Sequence, residues 1–506
     1  MFSAVSIKHN IIANFSGKVW SGLISFIFVP LYIRFLGMEA YGLIGLYVSI
    51  MALFSVLDMG LSTTLNRELA RLATRTDSAR DARDLVRTLE YIYWGTGVLV
   101  GIVIIALAPW IARYWVNLKG LSVETVTQAI MLQGIVVGLR WSVPLYSGGL
   151  MGLQRQVLLN TLSASMATLQ GAGAVLVLWL IAPTIQAFFI WQIIMAVAQS
   201  ILFPVCLWRS IPAWDHRPTF SRQWLKTIWR FAAGMTGITV TSIILTQLDK
   251  IFLSKFLPLE MFGYYTLAVS IAGVLSFAAT SVFPAIFPVY SQLCVADEVN
   301  ALATFYHKSC QLLSIMLFPL GLVMMMFSSE LLSCYVMNPV IVNNTYRLLS
   351  LIIVGTMLNS IMVLPLALQL AHGWTKLSFY KNIIAIIFVV PLLIYIVTHY
   401  GAIGAAVVWI LLNAGYVLIE VPIMHSRLLT GEKWKWYTMD IGCPLCISLL
   451  VVGLARFFLP SGGSPFLKLP WLVLAAFFAM AVSASILPAS REWMRKAIYG
   501  RVLPIL

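Results

Sequence analysis

Phe35-Leu36-Gly37-Met38-Glu39-Ala40-Tyr41-Gly42 returns 221 residues later as Phe256-Leu257-Pro258-Leu259-Glu260-Met261-Phe262-Gly263. Continuing without gaps, Leu46, Val48, Ser49 and Ile50 meet Leu267, Val269, Ser270 and Ile271. The same offset pairs Arg87 with Lys308, Tyr114 with Tyr335, Asn117 with Asn338 and Gly134 with Gly355. It also pairs Pro144 with Pro365, Gly152 with Gly373 and Arg155 with Lys376. An apolar chain matches itself by chance at Leu and Val, but not repeatedly at Glu, Gly, Pro and Asn. The chain therefore carries two copies of one unit.

Composition says what the unit is made of. Of 506 residues, 60% are hydrophobic and only 10% charged, and the mean hydropathy is +0.92. A soluble chain carries about 25% charged residues because most of its surface meets water. Most of this surface must therefore face something else, which excludes a soluble enzyme, a disordered chain and a fibrous repeat. The length allows about 14 spans of roughly 20 residues. Apolar runs place them at about 11–35, 40–65, 90–115, 125–150, 158–182 and 184–208, then 230–255, 262–289, 309–336, 345–370, 377–399 and 401–425. Two more fall near 437–459 and 468–488, outside the repeat. The expected fold is all-α: about 14 transmembrane helices, in two pseudo-symmetric six-helix lobes (1–215 and 216–430) plus two C-terminal helices and a tail (431–506). Six spans per copy means that both copies enter from the same side. Parallel repeats of this kind place substrate sites between them near the midplane, which makes transport the leading expectation.

The net charge of +15 is read as orientation, not as nucleic-acid binding. Most Lys and Arg fall in alternate loops, in clusters such as Arg67, Arg71, Arg75, Arg80, Arg83 and Arg87, then Arg209, Arg217, Arg222, Lys226 and Arg230, and in the tail. The positive-inside rule then puts both termini in the cytoplasm. No cleavable signal peptide is expected, since the N-terminus runs straight into a long apolar span. Cys443-Pro-Leu-Cys446 resembles a redox or metal pair, but it lies in a span without nearby partners and is read as helix packing. Glu39 and Glu260 are read as residues that hold short turns. Pro144 and Pro365 are read as kinks that serve either packing or gating.

Charges that the repeat does not share are the candidates for function, because an ion deep in a span costs about 2.5–3.5 kcal/mol on insertion scales and needs a cavity or a partner. Lys18 and Asp58 each sit roughly 10 Å from the same end of their spans, so they form either a packing pair or part of a site. Arg140 lies mid-span, too deep to reach the interface. Asp249 and Lys250 diverge by about 100° around span 7; one is expected to line a cavity and the other to find a local partner or snorkel outward. Glu420 is interfacial or functional, and Asp440 interfacial. Three deep cations, Lys18, Arg140 and Lys250, suit an anionic head group, with Arg able to grip phosphate bidentately. Asp58, Asp249 and Glu420 are candidates for ion coupling or for pairing within the cavity.

Leu31-Tyr32-Ile33-Arg34-Phe35-Leu36-Gly37, then Glu39, Tyr41-Gly42-Leu43, and Leu57-Asp58-Met59-Gly60-Leu61 with Asn66-Arg67 resemble the opening of bacterial Wzx-type oligosaccharide flippases. These belong to the multidrug/oligosaccharidyl-lipid/polysaccharide exporter superfamily. The resemblance implies two six-helix lobes around a central cavity, often cationic, in the bacterial inner membrane. It implies the flipping of undecaprenyl-pyrophosphate-linked sugar units for O-antigen or exopolysaccharide synthesis, by proton- or sodium-coupled alternating access without a cofactor. The implied partners are the lipid-linked oligosaccharide, membrane lipids, and polysaccharide polymerase and chain-length proteins. Asp58 belongs to the family-like pattern, which favours a structural role for it. Lys18, Arg140 and Lys250 do not carry over as known binding residues. The rivals are a cation-coupled multidrug antiporter, which the cationic set argues against, and a membrane glycan polymerase or ligase. The latter needs a large outer loop or a catalytic cluster, and the sequence offers neither. No Walker-type glycine loop supports a nucleotide-driven pump.

Overall fold

The computed structural model describes residues 17, 19–74, 78–213, 217–459 and 465–487, with the backbone alone for 227–239 and 465. Among them every extended regular element is a helix, and pairing of strand type is confined to an isolated bridge between Asn117 and Pro258. The chain divides into two compact units, Met1–Gly263 and Tyr264–Leu506.

In the first unit, α1 (Val29–Phe54) is broken at Gly37, whose φ of 81° only glycine adopts without strain. A turn at Met59 and Gly60, both left-handed, leads to α2 (Leu61–Leu72). There follow α3 (Ala79–Trp110), α4 (Val123–Arg140), α5 (Val143–Gly152), α6 (Gln156–Leu180), α7 (Ile185–Ser210) and α8 (Arg222–Phe256). The α6–α7 turn falls at Ala182-Pro183-Thr184 as expected, with the Thr184 hydroxyl accepting the Ala187 N–H at 3.3 Å. Helix α2 is amphipathic: Leu61, Leu65, Leu69 and Leu72 pack on Leu85, Val86 and Leu89 of α3, and on Leu145 and Leu150 of α5.

Helices α3 and α4 meet along a glycine seam. A Cβ on Gly97 would stand 2.7 Å from the Gly138 carbonyl oxygen; between Gly101 and Gly134 the same distance is 3.0 Å. Each helix thus carries Gly-x-x-x-Gly on the contact face. In lipid no hydrophobic force draws helices together, so small residues that let backbones approach supply the dispersion contact. The opening repeat makes a second close approach. Gly42 packs on the Leu259 carbonyl, and Gly263 on the Met38 carbonyl. Met38 and Leu259 are themselves 221 positions apart, so exchanging the copies maps this contact onto itself. Glu39 holds a turn, as read from the sequence: its carboxylate accepts the N–H groups of Lys119 and Gly120 at 2.9 Å and of Leu121 at 3.2 Å.

The second unit contains most of α9 (Leu259–Val295), then α10 (Val299–Met326), α11 (Ser328–Val336), α12 (Pro339–Ile361), α13 (Val363–Ala371), α14 (Thr375–Gly415) and α15 (Val421–Leu428), and ends with α16 (Cys443–Phe457) and α17 (Pro465–Ile486). Helix α10 is its axis, packed on α12, α16 and α17. The repeat reappears as a shared break. Helix α4 stops at Arg140 and α12 at Ile361, each four residues before the matched prolines Pro144 and Pro365. A proline has no N–H to donate, and its ring clashes with the carbonyl four residues back. Both helices therefore stop at that residue.

Eleven helices among the described residues are long and apolar enough to cross a membrane, against about 14 expected. One of them, Thr375–Leu428, is 54 residues long and is broken at Gly401 (φ 60°). The span expected at 40–65 ends instead at Asp58, because the left-handed residues Met59 and Gly60 turn the chain out of the helix. Large apolar side chains face outward, among them Phe457 at 82% and Phe388 at 70% exposure. In water such a surface would aggregate; in lipid it is ordinary.

Candidate functional site: charges buried among the helices

Arg140 owes its place to Pro144, which ends α4 on it. Its guanidinium turns toward α1 and α6. Nη1 donates to the Tyr47 hydroxyl at 3.2 Å and Nη2 to Gln170 Oε1 at 2.5 Å. Gln170 in turn donates to Gln192 Oε1 at 2.7 Å, and its carbonyl accepts the Trp191 indole N–H at 3.1 Å. Tyr47 is held edge-on to Phe189 at 5.9 Å. All these partners are neutral. Among the described residues Arg140 makes no ion pair, and its buried Nε has no hydrogen-bond partner. The site is a cation held in position by amides and a phenol, with no counter-ion among the described residues.

The other expected residues have different surroundings. Lys18 lies outside the described residues. Asp58 accepts hydrogen bonds from the Tyr93 hydroxyl and, at 2.9 Å, from Ser62; it fastens the Met59-Gly60 turn to α3. Lys250 donates to the Thr246 carbonyl at 2.8 Å and stands 3.8 Å from Asp249. Glu420 is 2% exposed and lies 2.5 Å from Lys381 Nζ, with Gln369 donating to its second oxygen at 2.8 Å. The Lys381 ammonium also sits 4.5 Å from the centre of the Tyr416 ring. Lys381 went unsuspected in the sequence, since a lysine near a span end normally snorkels and its partner is 39 residues away.

Asp440, expected at the interface, is fully buried. His307 Nδ1 lies 2.5 Å from its Oδ2, and Gln311 donates to its Oδ1 at 2.9 Å. His307 Nε2 lies 2.9 Å from Glu432, which Lys435 approaches at 3.3 Å. Burial pushes the Glu432 carboxyl up, but Lys435 and His307 outweigh it and hold the group below the usual carboxylate range. In the first unit Glu90, the repeat equivalent of Gln311, is likewise buried. It accepts from Trp208 at 2.7 Å, Arg87 at 2.9 Å and Tyr146 at 3.0 Å.

The family model described as polysaccharide biosynthesis protein matches residues 7–294. A Shigella flexneri protein named as an O-antigen transporter is 20% identical over 409 residues, covering 80% of this chain and 94% of that one. The lipopolysaccharide biosynthesis protein WzxC of Escherichia coli K12 is 23% identical over 233 residues, covering 45% and 46%. In fold, the lipid II flippase MurJ in an inward closed conformation matches with a TM-score of 0.70 at 13% identity, covering 96% of this chain and 99% of that one. An inward-facing multidrug transporter of the MATE family matches at 0.66 and 16% identity, covering 83% and 99%. The family match covers more than half of the chain, which belongs to the polysaccharide biosynthesis protein family and shares the fold of these multi-pass membrane transporters.

Proposed function

Given that the chain belongs to the polysaccharide biosynthesis protein family, we propose that it flips undecaprenyl-pyrophosphate-linked oligosaccharide units across the bacterial inner membrane. The product would feed O-antigen or exopolysaccharide synthesis. The observation that carries this reading is Arg140. A part-buried guanidinium whose partners among the described residues are all neutral is costly until an anion arrives, and a pyrophosphate or acidic sugar is the anion that such a substrate brings. Tyr47 and Gln170 hold the planar fork in place, and Gln192 holds Gln170, so little side-chain entropy remains to be lost on binding. Lys250 and Lys18 are the further cations of this reading. Asp58, Asp249 and Glu420 are its candidates for coupling to a proton or sodium gradient. At Glu420 the entering ion would compete with the Lys381 ammonium. The basic clusters orient both termini toward the cytoplasm, where the lipid-linked unit is loaded.

The test is complementation of a flippase-null strain. Arg140→Ala removes a charge-assisted contact worth about 1.5–3 kcal/mol, so transport should fall about 10–100-fold while membrane insertion stays normal. Arg140→Lys, which keeps the charge but loses the fork, should fall between. Full complementation by Arg140→Ala would overturn the assignment. A cation-coupled drug antiporter shares the fold, but its substrates would be repelled by Arg140. Drug efflux that is unaffected by loss of the gene separates the two.

A further inference from the structure

The cluster around His307 plays no part in the transport reading and stands independently of it. Its two ring nitrogens each face a carboxylate oxygen: Asp440 Oδ2 at 2.5 Å from Nδ1 and Glu432 Oε2 at 2.9 Å from Nε2. An ionised carboxylate only accepts hydrogen bonds. A neutral imidazole carries one N–H, so its second nitrogen would set a lone pair against an oxygen lone pair. Both contacts are attractive only with a proton in each.

We infer that His307 is a proton-binding site: an imidazolium clamped between Asp440 and Glu432 that ties α10 to the 432–442 segment leading into α16. The proton has a route. Glu432 is about one-third exposed, His307 is nearly buried, and Asp440 is fully so. Protons therefore exchange at the surface through Glu432. The neighbours that bear on the site are Lys433 and Lys435 beside Glu432, His425 on α15, Tyr290 on α9, and Tyr306, Lys308 and Cys310 on α10 itself. Glu330 and Arg456 pair at the far end of α10, roughly 30 Å away at 1.5 Å per residue. His425 is an internal contrast. Its Nδ1 bonds the Val421 carbonyl at 2.9 Å, and its buried Nε2 has no partner among the described residues, so nothing there requires a second proton.

The sign of the pH dependence follows. The clamp needs a proton in each of its two contacts, so removing either proton with base weakens it. On the acid side Glu432, held below its usual range, keeps its charge until the pH is low. The test uses the full chain in detergent micelles with nitrogen-15 histidine. At neutral pH the His307 ring, identified as the signal that Asp440→Asn displaces, should show two protonated nitrogens, and that of His425 one. Glu432→Gln, at the exposed edge where folding is not at stake, offers an amide that can donate to Nε2. It should leave His307 with one bare nitrogen. The thermal midpoint of the wild type should exceed that of Glu432→Gln by about 2–4 °C at neutral pH, and the gap should close in alkali. A bare ring nitrogen in the wild type, an unchanged ring in Glu432→Gln, or a gap indifferent to pH would overturn the proposal.

Discussion

Glu420 and Lys381 show what a single residue decides in this chain. The pair is 2.5 Å apart with the carboxylate 2% exposed, so each charge is tolerated because of the other. Replacing Lys381 with Met should leave a buried carboxylate unpaired and cost about 3–5 kcal/mol. Adding Glu420→Gln should recover much of that loss, because Gln keeps the bond to Gln369 and brings no charge. Thermal unfolding of the single and double variants in detergent checks this. Equal loss in both would mean that the pair contributes shape, not charge compensation. Asp58 illustrates the opposite case. Its position looked like a depth in a span, but its bonds to Tyr93 and Ser62 make it the fastening of a turn. That role could be suspected only because Asp58 belongs to a short motif ending in glycine.

At the scale of elements, local chemistry was readable where it acts along the chain. Pro144 and Pro365 break α4 and α12 at equivalent residues, and the Ala182-Pro183-Thr184 turn separates α6 from α7, each by backbone rules that need no tertiary partner. The glycine seam is different. Gly97 and Gly101, and Gly134 and Gly138, carry the spacing in sequence, but only the packing of α3 on α4 reveals that the two pairs face each other. Gly138→Leu should push those helices apart and cost about 1–3 kcal/mol or more, since the obstacle is a carbonyl oxygen and not a flexible side chain. Gly95→Leu, where a Cβ meets nothing within 4 Å, is the control and should be nearly neutral. Comparable losses at both positions, measured as thermal midpoints, would count against the seam.

Over the whole molecule, the scarcity of charge marks a membrane protein and the 221-residue offset a sequence that repeats itself, and the fold is shared with membrane transporters. Orientation rests on the basic clusters. With the six native cysteines replaced, Asp81→Cys should react with an impermeant maleimide only after the cytoplasmic face is opened. Lys119→Cys, on the turn that Glu39 holds, should react from outside in intact spheroplasts. The reverse pattern would invert the proposed direction of loading.

Solvent partition, the repeat and the proline breaks were determined by sequence alone, because each acts on residues one at a time or on near neighbours. Which partner each charge meets was decided only by tertiary structure. Arg140 meets amides and a phenol, Glu420 meets Lys381, and Asp440 meets a histidine 133 positions away. Coulomb energy depends on distance in space, and separation along a chain that folds back on itself through many helices says little about that distance.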